Sequence, residues 1–202
     1  QLIEAVGTDR LVTVDVHNLA AFQNAFRIPA CHLDAAALFA AHFAPIIGEA
    51  PVAAVSPDPG GVKRADSFRE TLERVLGRAV AGGFMEKHRS MDKVTGESFA
   101  GEVSGRTVII LDDLISSGGT MARAAAACRA RGAARVYLAA THGLFNADAG
   151  KTLADAGIDG VVVTDTVAPR TTLPDSLRRK LEILDVSGIL AEAVRGDPAE
   201  AA

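Results

Sequence analysis

The feature that most constrains this chain is the alternation of short, nearly unbroken apolar runs with stretches of helical spacing. The runs read as strands at Leu11–Val16, Val52–Ser56, Ala79–Phe84, Thr107–Leu111, Val136–Ala140, Gly160–Thr164 and Leu181–Val186. Between them the spacing predicts helices over Asp34–Ile47, Gly61–Leu76, Met121–Arg131, Ala147–Ala156 and Ser187–Arg195. Asp34 suits an N-cap, and Gly132 and Gly157 suit C-terminal stops. A strand that is apolar on every residue has no face to give to water, so both faces of its sheet must be covered. The expected fold class is therefore α/β, a parallel sheet flanked by helices on both faces. Ligands of such sheets sit at the carboxyl ends of the strands. The break at Gly48–Pro51 divides the expectation into residues 1–48 and a larger domain at 49–187, followed by a C-terminal helix and frayed tail at 188–202.

Composition narrows the function classes. The 21 basic and 25 acidic residues are spread evenly and leave a net charge of −4, so no basic face exists for nucleic acid. No apolar run reaches membrane-spanning length, and "QLIEAVGTDR" is not a signal peptide. Cys31 and Cys128 are far apart, and Cys128 falls inside an expected helix, which suits a reducing, cytoplasmic setting rather than a disulfide. Trp is absent and Tyr137 is the sole tyrosine, so the core is expected to consist mainly of Ala, Val, Leu and Ile.

"VIILDDLISSGGTM", residues 108–121, carries the chemistry. An apolar strand ends in Asp112 and Asp113, then enters a loop of Ser116, Ser117, Gly118, Gly119 and Thr120 that opens a helix. Glycines let backbone N–H groups converge, the helix N-terminus adds a positive dipole end, and three hydroxyls add donors; together they form a phosphate cradle. The carboxylates repel a phosphate. They suit sugar hydroxyls, which donate to them, or a divalent cation held through water. A sugar phosphate satisfies both halves.

The stretch resembles the phosphoribosyl-binding loop of the type I phosphoribosyltransferase superfamily. Further pieces narrow the resemblance to the ribose-phosphate pyrophosphokinase family: "TVDVH" (13–17), "VSPDPGGVKRA" (55–65), "EKHR" (86–89), "GEVSGRTVIILDD" (101–113), "GAARVYLAATHGLF" (132–145), "VVVTDT" (161–166) and "LEILDVSGILAEAVR" (181–195). They run in the family's order over nearly the whole chain. The resemblance implies a phosphoribosyltransferase-like fold. It also implies transfer of the β,γ-diphosphoryl group of Mg-ATP to the anomeric hydroxyl of ribose 5-phosphate, in a cytoplasmic, dimer-based homo-oligomer. On this reading Ser116, Ser117, Gly118, Gly119 and Thr120 hold the 5-phosphate, and Asp112 and Asp113 the ribose hydroxyls. Asp58, Gly60 and Gly61 match the family's diphosphate and ATP loop, and His17 and Asp58 its Mg²⁺-associated positions. Lys87 and Arg89 match its catalytic basic pair, with Ser90–Ser104 as a mobile flap that carries them over the substrates.

Some positions depart from the family. Ser116 stands where most members carry Asp, Gly118 where many carry Ala, and His88 occupies the middle of the usual Lys-Arg-Arg triplet. The "ISSGGT" loop is similar to the archaeal-type branch. Members also carry roughly a hundred further N-terminal residues, on the scale of one more small domain. That region supplies much of the ATP site, so residues 1–48 read as the end of an N-terminal domain. Two other functions remain open at this point: a nucleobase phosphoribosyltransferase, and a non-catalytic phosphoribosyl-binding relative.

Overall fold

The computed structural model describes residues 1–90, 93–146, 148–169 and 172–196, and the side chains of residues 87–97 lie outside that description. In chain order the first elements are α1 (Leu2–Ala5), β1 (Leu11–Val14), α2 (Leu19–Ala25), β2 (Ala30–Leu33) and α3 (Ala36–Ile47). Then come β3 (Val52–Ser56), a 3₁₀ turn (Pro59–Gly61), α4 (Val62–Leu76), β4 (Ala81–Ser90), β5 (Lys93–Gly101) and β6 (Thr107–Ile115). The chain continues through α5 (Gly119–Ala130), β7 (Arg135–Gly143), α6 (Ala149–Ala154), β8 (Gly160–Thr164), α7 (Asp175–Arg178), β9 (Leu181–Leu184) and α8 (Ser187–Arg195).

Two compact units result: Gln1–Ala35 with Asp185–Ala202, and Ala36–Leu184. The helix predicted at Asp34–Ile47 thus falls almost wholly in the larger unit, where α3 packs on α4, and α8 belongs to the smaller one. In the smaller unit β1 and β2 pair in parallel, with Leu11 opposite Ala30 and Val14 opposite Leu33. Asp15, buried just after β1 at a φ of 41°, accepts the Ala35 N–H on Oδ2 (3.2 Å).

The larger unit is built on a sheet of order β5-β4-β3-β6-β7-β8-β9, parallel except for the antiparallel β5. Every residue of β3 and β8 is buried, as their unbroken apolar runs require. Alternate residues serve opposite faces. Val55, Ile110, Leu138 and Val163 meet Met121, Ala125 and Cys128 of α5 and Leu153 of α6. Tyr137 points the other way, and its ring meets Phe43 of α3 edge-on with centroids 5.7 Å apart. Phe39, Phe43, Phe68 and Leu72 of α3 and α4 are fully buried, each contributing about 1.5–3 kcal/mol. From β3 the chain steps outward to β4, and from β6 it steps the opposite way to β7 and β8. The adjacent carboxyl ends of β3 and β6 therefore flank the point where strand order reverses, which is where such sheets form a crevice.

The α/β class and the parallel core are as expected; several boundaries are not. β6 was expected to stop at Leu111 and runs to Ile115, because β7 also extends and pairs with it through Leu114 opposite His142 and Ile115 opposite Gly143. Asp112 and Asp113 are consequently within the strand rather than beyond it. The Ser90–Ser104 segment holds β5, which pairs with β4 from Gly101 opposite Gly83 to Lys93 opposite Ser90. Its sequence "KVTGESFAG" has no apolar run, so only the partner strand reveals it. β2 hides similarly in "ACHL", where a histidine interrupts the pattern. The short helices α1, α2 and α7 were not foreseen. Both cysteines are free.

Candidate active site

The acidic pair is the centre of the site. Asp113 is 2% exposed, and Asp112 is partly buried beside it on β6. Oδ1 of Asp112 accepts the Asp113 N–H at 2.9 Å, which sets the carboxylate's orientation. Arg64, in the first turn of α4, places Nη1 3.3 Å from Asp112 Oδ1 and 3.5 Å from Asp113 Oδ1. One cation thus serves two carboxylates. Burial, followed by the hydrogen bond to and charge of Asp113, pushes the Asp112 carboxyl up to about 7 despite Arg64. Arg64 escaped the sequence reading, although "GGVKRA" contains it: a basic residue in the first turn after a glycine turn faces whatever that turn faces.

The loop that follows is shaped by exclusion. Gly118 has a φ of 76°, and a Cβ there would lie 2.8 Å from Leu153 Cγ, so both backbone and space demand glycine. The Ala122 N–H donates to the Gly118 carbonyl at 2.8 Å and starts α5. The Gly119 N–H lies 3.5 Å from Ser117 Oγ. From the other side, the Phe145 and Asn146 N–H groups donate to the carbonyls of Ile115 and Ser116, each at 3.0 Å, and Asn146 Nδ2 donates to Ser116 Oγ at 3.3 Å. Ser116–Thr120 is therefore braced by the segment after β7, a contribution the sequence does not announce.

A second turn opens α4. Asp58 Oδ1 accepts the Gly61 N–H at 3.0 Å, and the Ser56 hydroxyl donates to the Asp58 carbonyl at 2.6 Å. A Cβ on Gly61 would sit 2.7 Å from Ser56 Oγ, and one on Gly60 3.3 Å from Asp58 Oδ1. This turn follows β3 and the acidic pair lies on β6, so the two stand side by side at the reversal point, with Arg64 reaching from one to the other. His17 is exposed in the smaller unit, in the segment after β1. Lys87 and Arg89 are on β4 opposite Glu97 and Val94; their side chains lie outside the described residues. Among the described residues no three His, Cys, Asp or Glu side chains cluster as a metal site, and no helix is long and apolar enough to cross a membrane.

Known proteins match this arrangement. Residues 93–197 match the family described as phosphoribosyl synthetase-associated domain. The ribose-phosphate pyrophosphokinase 1 of Streptococcus pyogenes is 36% identical over 199 residues, covering 96% of this chain and 58% of that protein. The ribose-phosphate pyrophosphokinase of Pasteurella multocida is 36% identical over 194 residues, covering 96% and 59%. The crystal structure of phosphoribosylpyrophosphate synthetase from Mycobacterium smegmatis superimposes with a TM-score of 0.80 at 32% identity, covering 96% of this chain and 60% of that one. This chain thus spans somewhat under two thirds of the length of the relatives it matches. It belongs to the phosphoribosyl synthetase family, that of the ribose-phosphate pyrophosphokinases.

Proposed function

We propose that the protein transfers the diphosphoryl group of ATP to the anomeric hydroxyl of ribose 5-phosphate, giving 5-phosphoribosyl 1-diphosphate and AMP for nucleotide biosynthesis. The observation that carries this reading is the join on one strand, loop and helix of a cation-held acidic pair with a glycine- and hydroxyl-lined loop, at the reversal point of the sheet. Ser116–Thr120 hold the 5-phosphate through backbone N–H groups and hydroxyls. Asp112 and Asp113 accept hydrogen bonds from the ribose hydroxyls and so orient the sugar. Asp58, Gly60 and Gly61 receive the diphosphate end, where the absence of side chains on the glycines permits close backbone approach. Lys87 and Arg89 supply positive charge as negative charge accumulates on the transferring group.

Mg²⁺ is the expected cofactor. The donor set suits it in part: Asp58 uses one carboxylate oxygen on the Gly61 N–H and retains the other for a hydrated cation shared with phosphates. When bound, the ion neutralises phosphate charge. The same reading makes the protein a cytoplasmic, dimer-based homo-oligomer.

The test is AMP formation from Mg-ATP and ribose 5-phosphate. AMP that appears only when ribose 5-phosphate is present supports the reading. No AMP, with consumption of phosphoribosyl diphosphate when a nucleobase is supplied, would assign the site to a phosphoribosyltransferase instead.

A further inference from the structure

We propose that Asn146 is a positioning residue of this site: it fixes the Ser116 hydroxyl as an acceptor toward the protein, so that the hydroxyl's one proton is left for the phosphate. This rests on the reading of Ser116–Thr120 as the 5-phosphate cradle. Asn146 Nδ2 donates to Ser116 Oγ at 3.3 Å, and the Asn146 N–H donates to the Ser116 carbonyl at 3.0 Å. Two bonds to one residue set both its place and its polarity. A hydroxyl has a single proton to give and two lone pairs to receive with. Once the amide occupies a lone pair, the remaining proton becomes a better donor, because successive hydrogen bonds polarise one another. A carboxylate or amide oxygen in the place of Nδ2 would take that proton and turn lone pairs toward the ligand. A phosphate dianion only accepts, so the amide's polarity decides whether Ser116 attracts it or repels it.

The backbone is shaped to deliver the amide there. Phe145, directly before Asn146, is fully buried yet has a φ of 42°, a left-handed conformation that a bulky residue rarely adopts. Its ring folds back over Gly143, where a Cβ would lie 2.7 Å from Phe145 Cε2, and its N–H donates to the Ile115 carbonyl at 3.0 Å. Gly143 in turn pairs with Ile115 at the ends of β7 and β6. The backbone bonds alone suffice to join the two strand ends. A strained residue kept immediately before the side chain that reaches Ser116 marks that side chain as used.

Titration calorimetry of the 202-residue chain with ribose 5-phosphate tests this. Asn146→Asp keeps the side chain's shape and can still bond Ser116, with donor and acceptor exchanged. A role limited to bracing the loop survives that exchange; the polarity role does not. Asn146→Asp should weaken binding roughly 30-fold, and at least about fivefold less when made in a Ser116→Ala background, where only its charge acts. Asn146→Ala, the variant to use should the aspartate not fold, should cost roughly threefold alone and nothing further in Ser116→Ala. Equal losses from Asn146→Asp in the two backgrounds would overturn the assignment, as would wild-type affinity in Asn146→Ala. A folded wild type that binds no ribose 5-phosphate would instead remove the cradle reading on which it rests.

Discussion

Asp112→Asn separates the stability of this site from its use. The Asp112 carboxyl moves from an ordinary 3.8 up to about 7, chiefly because burial disfavours its charged form and Asp113 repels it. Between those values the native state holds a proton that the unfolded chain has released. Stability from this group is therefore complete below 3.8 and is lost as pH rises through about 7. Three units at about 1.4 kcal/mol each set a ceiling of about 4 kcal/mol. Asparagine keeps the shape, and its Oδ1 still accepts the Asp113 N–H. It never ionises. The variant should match the wild type near pH 4 and exceed it by roughly 2–4 kcal/mol at about pH 8. Urea unfolding followed by circular dichroism at stepped pH measures this, and subtracting the two proteins cancels the titrating groups remote from the pair, leaving the joint titration of Asp112 and Asp113. A stability difference that does not change with pH, or an Asn variant weaker than wild type at pH 8, would refute the reasoning. The same variant should bind ribose 5-phosphate more weakly, since an amide presents one acceptor where the carboxylate presents two. Unchanged affinity would count against the hydroxyl-binding role.

Arg64→Ala should cost about 2 kcal/mol at neutral pH and less near pH 5, where Asp112 takes up a proton and needs the cation less; the same urea series reads it. Gly118→Ala combines a left-handed backbone with a contact at 2.8 Å from Leu153, and should lower stability by about 2–3 kcal/mol in thermal melts. Adding Leu153→Ala should recover the contact part relative to Leu153→Ala alone, and leave the backbone part. Lys87→Ala should reduce kcat far more than affinity for ribose 5-phosphate, because its charge acts chiefly in the transition state; equal loss in both would contradict that role.

What was legible in the sequence depended on whether a feature is local. β3 and β8 match their predicted ends because "VAAVS" and "GVVVT" are apolar throughout and stop at turns. Gly132 and Gly157 are left-handed, as helix stops should be. β5 is not legible, since its reason for being a strand is β4 and not its own composition. The end of β6 failed for a related reason: two aspartates look like a strand terminus, yet pairing with β7 carries the backbone past them. At the site, Asp112, Asp113, Gly118 and Gly61 announce themselves by type and spacing. Arg64 and Asn146 do not, because an arginine or asparagine is ordinary on any surface until the fold shows what it touches.

The juxtaposition of carboxylates with an anion cradle, which looks self-defeating in one dimension, is resolved by the sheet. Continuation of β6 to Ile115 keeps Asp112 and Asp113 in the strand and moves the loop beyond them, so the carboxylates sit on the strand and the cradle on the turn that follows it. The reversal of strand order at β3 and β6 then sets α4 alongside, and with it Arg64, which offsets part of the pair's charge from outside the segment that carries it. The pair remains strained, as the raised Asp112 carboxyl records. Hydroxyl donors from a bound sugar would relieve that strain by satisfying the ionised form, so ribose binding should lower the Asp112 pKa and release a proton. Calorimetric titration of ribose 5-phosphate near pH 7 in buffers of different ionisation enthalpy reads that proton directly. Its release in the wild type, beyond that seen with Asp112→Asn, is the expected result. Identical proton release in the two proteins would mean that the sugar does not engage Asp112.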